Sequence, residues 1–490
     1  MSAPPRFLNL IDGELVAAAT GEVIESLDPS TATPWATYPR GSDADVEQAV
    51  SAARGAFDAW SGAPALERAA HLRRIADVMA AHGRELAETE TRDNGRPIVE
   101  TTTFDVPACV QMFNYFAGAA DRIQGDTVNV TRASFNFTRR EPLGVVGVII
   151  PWNAPLSLLS AKVGAALCAG NTVVVKPAEE SSASVLAWGA LLAEAGMPPG
   201  VVNIVAGLGE EAGDALVRHA DVARITFTGS TATARAIAAR AGPRLAQLAF
   251  ELGGKSPNIV FADADLDAAA TGVSTTSIFT AGAGQTCIAG SRILIQAPVF
   301  DEMLERIEKA ATNVVLGDPM DATTTMGPIV SQAQFDRVRS YLELGPKEGA
   351  ELLFGGRSGA ELFPAGSPLG RGYYVEPTLF RVQSNELRIC REEIFGPVAT
   401  VMSFDTDDEA LAIANDTSYG LAAGVWTSDV KRAHRMVRDL HCGSVWVNAY
   451  RRIHWALPFG GWKDSGYGRD SGWESILENT QLKTAWIDLA

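Results

Sequence analysis

The chain has 490 residues, of which 47% are apolar and 20% charged, and its formal net charge is −17. That length exceeds one hydrophobic core, so two or three domains of an ordinary globular enzyme are expected. The acidic balance argues against nucleic acid or an anionic membrane as partner, since both call for clustered Lys and Arg, and no apolar run reaches the ~18 residues of a spanning helix.

In chain order, Val46, Ala49, Val50, Ala53, Phe57 and Trp60 recur at helical spacing after Ser42, which can form a capping box with Asp45. A second helix is predicted beyond Pro64, where Leu66, Ala69, Leu72, Ile75 and Met79 keep the period, and a third closes near Asn94-Gly95. The first ~100 residues are therefore expected to be mostly helical. Short β-branched runs follow at 144–150, 172–177, 201–205, 224–229 and 248–251, with Ala- and Leu-rich stretches near 156–169, 182–195, 209–218 and 231–241 between them. Strand, helix, strand at that pace predicts a parallel sheet with crossover helices. A second alternation begins at Asp265, with a helix near 265–281, a strand at 292–297, helices near 299–311 and 331–344, and strands near 373–380 and 396–403. Residues 345–372, rich in Gly, Pro and charge, suggest an exposed excursion. The closing "QLKTAWIDL" suggests a strand able to pair with another subunit.

The five cysteines, Cys109, Cys168, Cys287, Cys390 and Cys442, are scattered and include no C-x-x-C pair. Neither a disulfide framework nor a metal site is expected from them, and the six histidines form no H-x-x-x-H or H-E-x-x-H pair. The opening residues lack a basic-then-apolar leader, so a reducing cytoplasm is the expected compartment.

Five constellations carry possible chemistry, each with a plainer alternative. "PWNAP" at 151–155 is a turn, or it presents Asn153 as an oxyanion donor. "KPAEES" at 176–181 is a solvated loop, or it places Lys176 and Glu179 against a sugar at the carboxyl end of a strand. "FTGSTATA" at 227–234 leads a strand through Gly229 and Ser230 into a helix whose free N–H groups attract phosphate, although it lacks the usual third glycine. "ELGGKSP" at 251–257 holds Glu251, a surface acid or a general base. "EEIFGPV" and "PFGGWKDSGYGRD" set Glu393, Phe395 and Phe459 beside glycines, for packing or for lining a flat ring. Cys287, in "GAGQTCIAGSR", is a small core residue or a nucleophile.

In this order, over nearly the whole chain, these segments closely resemble the signatures of the aldehyde dehydrogenase superfamily. The resemblance implies an α/β fold with a Rossmann-like cofactor domain (1–120 and 143–251), an α/β catalytic domain (252–445) and a small β oligomerisation arm (121–142 and 470–490). It implies that Cys287 attacks the aldehyde, that Asn153 and the Cys287 N–H stabilise the oxyanion, and that Glu251 activates the water that hydrolyses the thioester. By the same resemblance Lys176 and Glu179 hold the adenosine ribose, Gly229 and Ser230 lie at the pyrophosphate, and Glu393, Phe395 and Trp152 surround the nicotinamide end. A carboxylate near the 2′-hydroxyl favours NAD, with NADP also possible. The expected partners are a small aldehyde and further copies of the chain, as a homodimer or homotetramer.

On the substrate side, Ala154 and Ala161 are small where many members carry bulk, which implies a roomy tunnel for a bulky apolar or aromatic aldehyde. The loop "NAYRRIHWAL" at 448–457 offers two choices. Arg451 or Arg452 pairs with a semialdehyde acid, or both arginines face solvent or a neighbouring subunit while Ile453, Trp455 and Leu457 receive an apolar or aromatic aldehyde, with Phe459 a further substrate-side candidate. Asp470 replaces the family's more usual Glu, a residue sometimes assigned to a proton path. The rival functions are a CoA-acylating dehydrogenase, disfavoured because Glu251 is present, a thiol esterase without redox, and a non-catalytic homologue.

Overall fold

The structure is a computed structural model that describes residues 4–280 and 282–490, so the last position of the helix predicted near 265–281, Ala281, lies outside the described residues. Four short strands open the chain: β1 (Asn9–Ile11), β2 (Glu14–Val16), β3 (Val23–Asp28) and β4 (Thr33–Pro39). They correct the expectation of a mostly helical first hundred residues. None carries a β-branched run like the one at 144–150, and β1 is fixed from afar, by pairing with a strand nearly two hundred positions on. The helices Asp43–Gly62, Ala65–Ala81 and Gly83–Asn94 follow as predicted. Asp45 Oδ2 accepts both the N–H and the hydroxyl of Ser42, each at 2.8 Å. Gly95 closes the third helix at φ +80°, a conformation that favours glycine, where a Cβ would also come within 2.6 Å of Pro328.

Next come β5 (Ser134–Pro142), β6 (Val145–Ile149), β7 (Thr172–Lys176), β8 (Val202–Ile204), β9 (Val222–Thr228) and β10 (Gln247–Glu251). The remaining strands are β11 (Pro257–Val260), β12 (Arg292–Gln296), β13 (Glu351–Phe354), β14 (Thr378–Arg381), β15 (Val398–Phe404), β16 (Tyr419–Gly420), β17 (Ala422–Trp426), β18 (Ser444–Val447), β19 (Trp462–Lys463), β20 (Gly466–Tyr467) and β21 (Thr480–Asp488). The first large sheet runs β2-β1-β8-β7-β6-β9-β10-β20 and the second β13-β14-β15-β12-β11-β17-β18. The strands from β6 to β10 pair in parallel, and every residue of β6 and β7 is buried, as in a sheet covered by helices on both faces. Helices Pro155–Cys168, Ala183–Ala190 and Thr231–Ala241 supply the crossovers.

Three expectations change in detail. The helix begun at Leu266 turns into a π-helix over Gly272–Phe279. The stretch near 182–195 is helical only to Ala190. The excursion at 345–372 contains β13, which pairs antiparallel with β14 as the edge of the second sheet. The terminal strand is present: β21 pairs antiparallel with β5 over nine residues, from Thr480↔Pro142 to Asp488↔Ser134, as a separate two-stranded ribbon.

Candidate active site

The connections leave β6 in two directions. They run outward through β7 to β8, then cross back to β9 and β10 on its other side. The order therefore switches between β6 and β9, and an open parallel sheet presents a crevice outside the carboxyl ends of such strands. Three of the singled-out segments emerge there: Trp152-Asn153 after β6, Gly229-Ser230 after β9 and Glu251 at the end of β10. Lys176 ends the neighbouring β7, and its Nζ donates to Glu179 Oε2 at 2.7 Å. Glu179 Oε1 accepts the Gly209 N–H at 3.3 Å. Burial works against the Glu179 charge, but the Lys176 ammonium and these hydrogen bonds hold its pKa below the ordinary value. Ser230 caps the helix Thr231–Ala241, its hydroxyl accepting the Thr233 N–H at 3.1 Å. A Cβ at Gly229 would fall 2.4 Å from the Phe227 ring, so packing within the protein already demands glycine there.

The opposite wall comes from the second sheet. Glu393 Oε1 accepts the Gly254 N–H at 3.0 Å, and a Cβ at Gly253 would lie 2.1 Å from Oε2. Burial lifts Glu393 to about 7. Phe395, held at φ +61°, meets Trp152 edge-to-face with 5.3 Å between centroids, and Gln334 Nε2 donates to the Phe395 carbonyl at 2.9 Å.

Between these walls stands the partly exposed Cys287, after the π-helix and before β12. Burial, then the Glu251 and Glu393 carboxylates, push its thiol up to about 12, against the pull of the Ile288 and Cys287 N–H groups. Asn153 Nδ2 donates to the Gln285 carbonyl at 2.9 Å, which ties the turn after β6 to the thiol loop. A side-chain amide carries two hydrogens, so one stays available. Both oxygens of the buried Glu251 are without a hydrogen-bond partner among the described residues. Burial, followed by Asp470, raises it well above the usual carboxylate range. A thiol, a free amide hydrogen and an unpartnered carboxylate thus meet at one crevice, the set that acyl chemistry on sulfur requires.

A profile of the aldehyde dehydrogenase family matches residues 15–485. The chain belongs to the aldehyde dehydrogenase family. It is 42% identical to an NADP/NAD-dependent aldehyde dehydrogenase, PuuC, of Escherichia coli (strain K12), over 98% of this chain and 95% of the relative. The crystal structure of PnpE, a protein of Pseudomonas sp. WBC-3, in complex with nicotinamide adenine dinucleotide superposes with a TM-score of 0.96 at 43% identity, covering 99% of this chain and 98% of that one. The P. syringae indole-3-acetaldehyde dehydrogenase AldA superposes with a TM-score of 0.96 at 39% identity, covering 100% and 98% of the two chains.

In this dehydrogenase the substrate-side candidates separate. Ala154 precedes the helix Pro155–Cys168, and Ala161 is buried within it. Trp455 packs against the same core as Leu158 and stacks on His454, and Phe459 packs with Ile288, Leu421 and Ala422 beside Cys287. Arg451 is not free: its Nη2 lies 3.4 Å from Glu100 Oε1 and its Nη1 donates to Thr276 O at 3.4 Å. Arg452 is exposed, and its carbonyl accepts the Trp446 indole N–H at 2.9 Å. Both arginines line a cleft of about 650 Å³ with Glu100, Phe104 and Thr276. Asp470 Oδ2 accepts from the buried Lys162 Nζ at 2.7 Å, and Lys162 also meets Thr226 Oγ1 at 3.1 Å. Sequence inspection missed Lys162 and Gln285. One is a lysine in an apolar helix, the only signal it gave. The other stands inside a recognised motif, but its contact comes from its backbone.

Proposed function

We propose that this dehydrogenase oxidises a bulky apolar or aromatic aldehyde to the carboxylic acid with NAD, through a covalent Cys287 adduct. The residues present fit the dinucleotide. Lys176 and Glu179 form a donor–acceptor pair for a ribose, and the Glu179 carboxylate repels a 2′-phosphate. Gly229 and Ser230 open a helix whose N–H groups suit a pyrophosphate. Glu393 keeps Oε2 as an acceptor for the second ribose, beside Trp152 and Phe395. When bound, NAD supplies the hydride acceptor.

The chain's own groups do the rest. Cys287 gives its proton to Glu251, which passes it on to solvent, and the thiolate sulfur bonds to the aldehyde carbon as the C=O π pair moves onto oxygen. The oxygen of that carbon becomes an oxyanion, held by the second Asn153 amide hydrogen and the Cys287 N–H, and one such donor contributes about 3 kcal/mol. Once the carbon has given up its hydride, the sulfur carries a thioester. Glu251 takes a proton from water, the resulting hydroxide displaces the sulfur, and the acid leaves. The observation that carries this proposal is that the buried Glu251 carboxylate, without a hydrogen-bond partner among the described residues, lies close enough to the Cys287 thiol for its charge to bear on it. It also favours hydrolysis over acyl transfer to CoA.

For the substrate, the Glu100 partner of Arg451 weighs against an acid-bearing aldehyde, which would have to displace it. Ala154, Ala161, Trp455 and Phe459 favour an apolar one, as does the 39%-identical indole-3-acetaldehyde dehydrogenase. We assign 1–120 with 143–251 to the cofactor and 252–445 to catalysis. The ribbon within 121–142 and 470–490 serves as the arm that joins copies into a homodimer or homotetramer. All five cysteines are free, which suits a reducing cytoplasm. No helix among the described residues is long and apolar enough to cross a membrane. Cys287→Ser tests the core of the proposal. NADH formation from an aldehyde series should fall by about a thousandfold or more, and undiminished oxidation would remove the thiol from the mechanism.

A further inference from the structure

Beside the site lies a group of charges that the chemistry above does not use. The helix Gly83–Asn94 and the turn after it run beneath the segment 152–156. Asn94 Nδ2 donates to the Trp152 carbonyl at 3.4 Å, and Arg96 Nη1 donates to the Asn153 carbonyl at 3.3 Å. The Leu156 N–H donates to Glu90 Oε2 at 3.2 Å. Three side chains of one helix end therefore grip three points of the segment that bears the oxyanion donor. On its far side Asn153 is held through its own amide by Gln285 O at 2.9 Å. With the backbone gripped from one side and one amide hydrogen from the other, the remaining amide hydrogen has a fixed direction.

Arg96 is the centre of this cradle. It is 5% exposed. Its Nε and Nη2 clamp Asp105 at 2.8 and 3.0 Å, and Nη2 also lies 2.9 Å from Glu100. A guanidinium held by two nitrogens on one carboxylate is a rigid planar fork, so the direction of Nη1 is set. That nitrogen reaches Asn153 O, and a Cβ at Gly282 would meet it at 3.1 Å, so the loop bearing the thiol abuts the same atom. Such a buried cluster is an expensive way to gain stability, because apolar side chains of similar volume would serve as well. Burial, then the Asp105 carboxylate, raises Glu90 above the ordinary carboxylate range. Orientation explains what stability does not.

We propose that Arg96 is a positioning residue for the oxyanion hole: through Nη1 it fixes the Asn153 peptide so that the free side-chain amide hydrogen points at the aldehyde oxygen above Cys287. The proposal rests on the thiol mechanism just described. Through Glu100, which also meets Arg451, the same cluster reaches the loop 448–457.

Arg96→Lys keeps a positive charge among the carboxylates and removes the fork. The single-turnover rate of NADH formation should fall about tenfold or more, part of the 10²–10³ that one oxyanion donor is typically worth. KM and NAD affinity should stay within about twofold, as expected when an interaction made only in the transition state is lost. Alkylation of Cys287 by iodoacetamide, which builds no oxyanion, should keep its rate. On top of Asn153→Ala, Arg96→Lys should add no further loss, because Arg96 acts through that amide. A full rate in Arg96→Lys, losses that multiply in the double variant, or a matching fall in alkylation overturns the proposal. If Arg96→Lys does not fold, Asn94→Ser, which removes the donor to Trp152 O without touching the charges, is judged by the same readouts. Undiminished oxidation by Cys287→Ser would instead sink the thiol mechanism, so the two failures are distinguishable.

Discussion

Glu251 shows what one side chain at the end of a strand costs and what it makes available. Its oxygens have no partner among the described residues, and burial followed by Asp470 raises its pKa well above the ordinary range, against the pull of Lys162 and Arg469. In the unfolded chain the same group titrates near ~4.3. Above that value the unfolded chain has lost a proton that the folded protein still binds, so the contribution to stability is full below it and is lost as pH rises toward the folded pKa. Glu251→Gln removes this titration. The variant should melt above the wild type at pH 8 and gain little at pH 5. Its turnover should fall about 100-fold with the loss of the general base, and intact-mass measurement should show an acyl adduct on Cys287. Normal turnover, or a lower melting point at pH 8, would contradict the assignment. At this scale the sequence is partly legible. Cys287, Asn153 and Glu251 stand in short Gly- and Pro-rich segments whose composition marks them. Arg96 and Lys162 do not stand out, because the contacts that tie them to the site, to Asn153 and Asp470, span 57 and 308 positions and only folding makes them.

Among elements, the helix Pro155–Cys168 is the one on which the proposed selectivity turns, since it starts two residues after Asn153 and carries Ala161 on its buried length. Ala161→Trp tests whether this position faces the substrate. If it does, KM for an aromatic aldehyde should rise about tenfold or more, in line with 1–3 kcal/mol of steric overlap, while a two-carbon aldehyde is turned over as before. An equal loss for both aldehydes, with a large drop in melting temperature, would instead place Ala161 in ordinary core. Elements with a strong signal of their own, such as this Ala- and Leu-rich helix and the β-branched runs of β6 and β7, can be read from the chain. Strands β1 to β4 cannot, because they carry no such run: β1 and β2 have three residues each, β3 holds Glu25, Ser26 and Asp28, and β4 holds Pro34 and Pro39. Strands β17 and β18 also escape inspection. Their residues, Ala422–Trp426 and Ser444–Val447, gain strand character from their parallel pairing with each other and from the pairing of β17 with β11.

The whole molecule presents one feature that a lone chain does not explain. The β5–β21 ribbon has only two strands, and it leaves Phe135, Leu482, Trp486, Ile487 and Leu489 between 46% and 61% exposed. A two-stranded ribbon is marginal in water, and exposed apolar side chains on it, Leu482 and Trp486 on one face and Phe135 and Ile487 on the other, are of the kind that mark contact surfaces. Strand β18 ends the second sheet, and among the described residues no further strand pairs with its outer edge. Burying Leu482 and Trp486 against another copy would remove both liabilities, whereas a charge at each position would have to be desolvated there. Leu482→Asp with Trp486→Asp should therefore release single chains. Light scattering after gel filtration should give the mass of two or four chains for the wild type and of one for the variant. The catalytic residues lie on other elements, so the NADH-forming rate per chain should fall much less than the assembly does. A wild type that elutes as a single chain, or a variant that stays fully assembled, would remove the arm from the account of assembly.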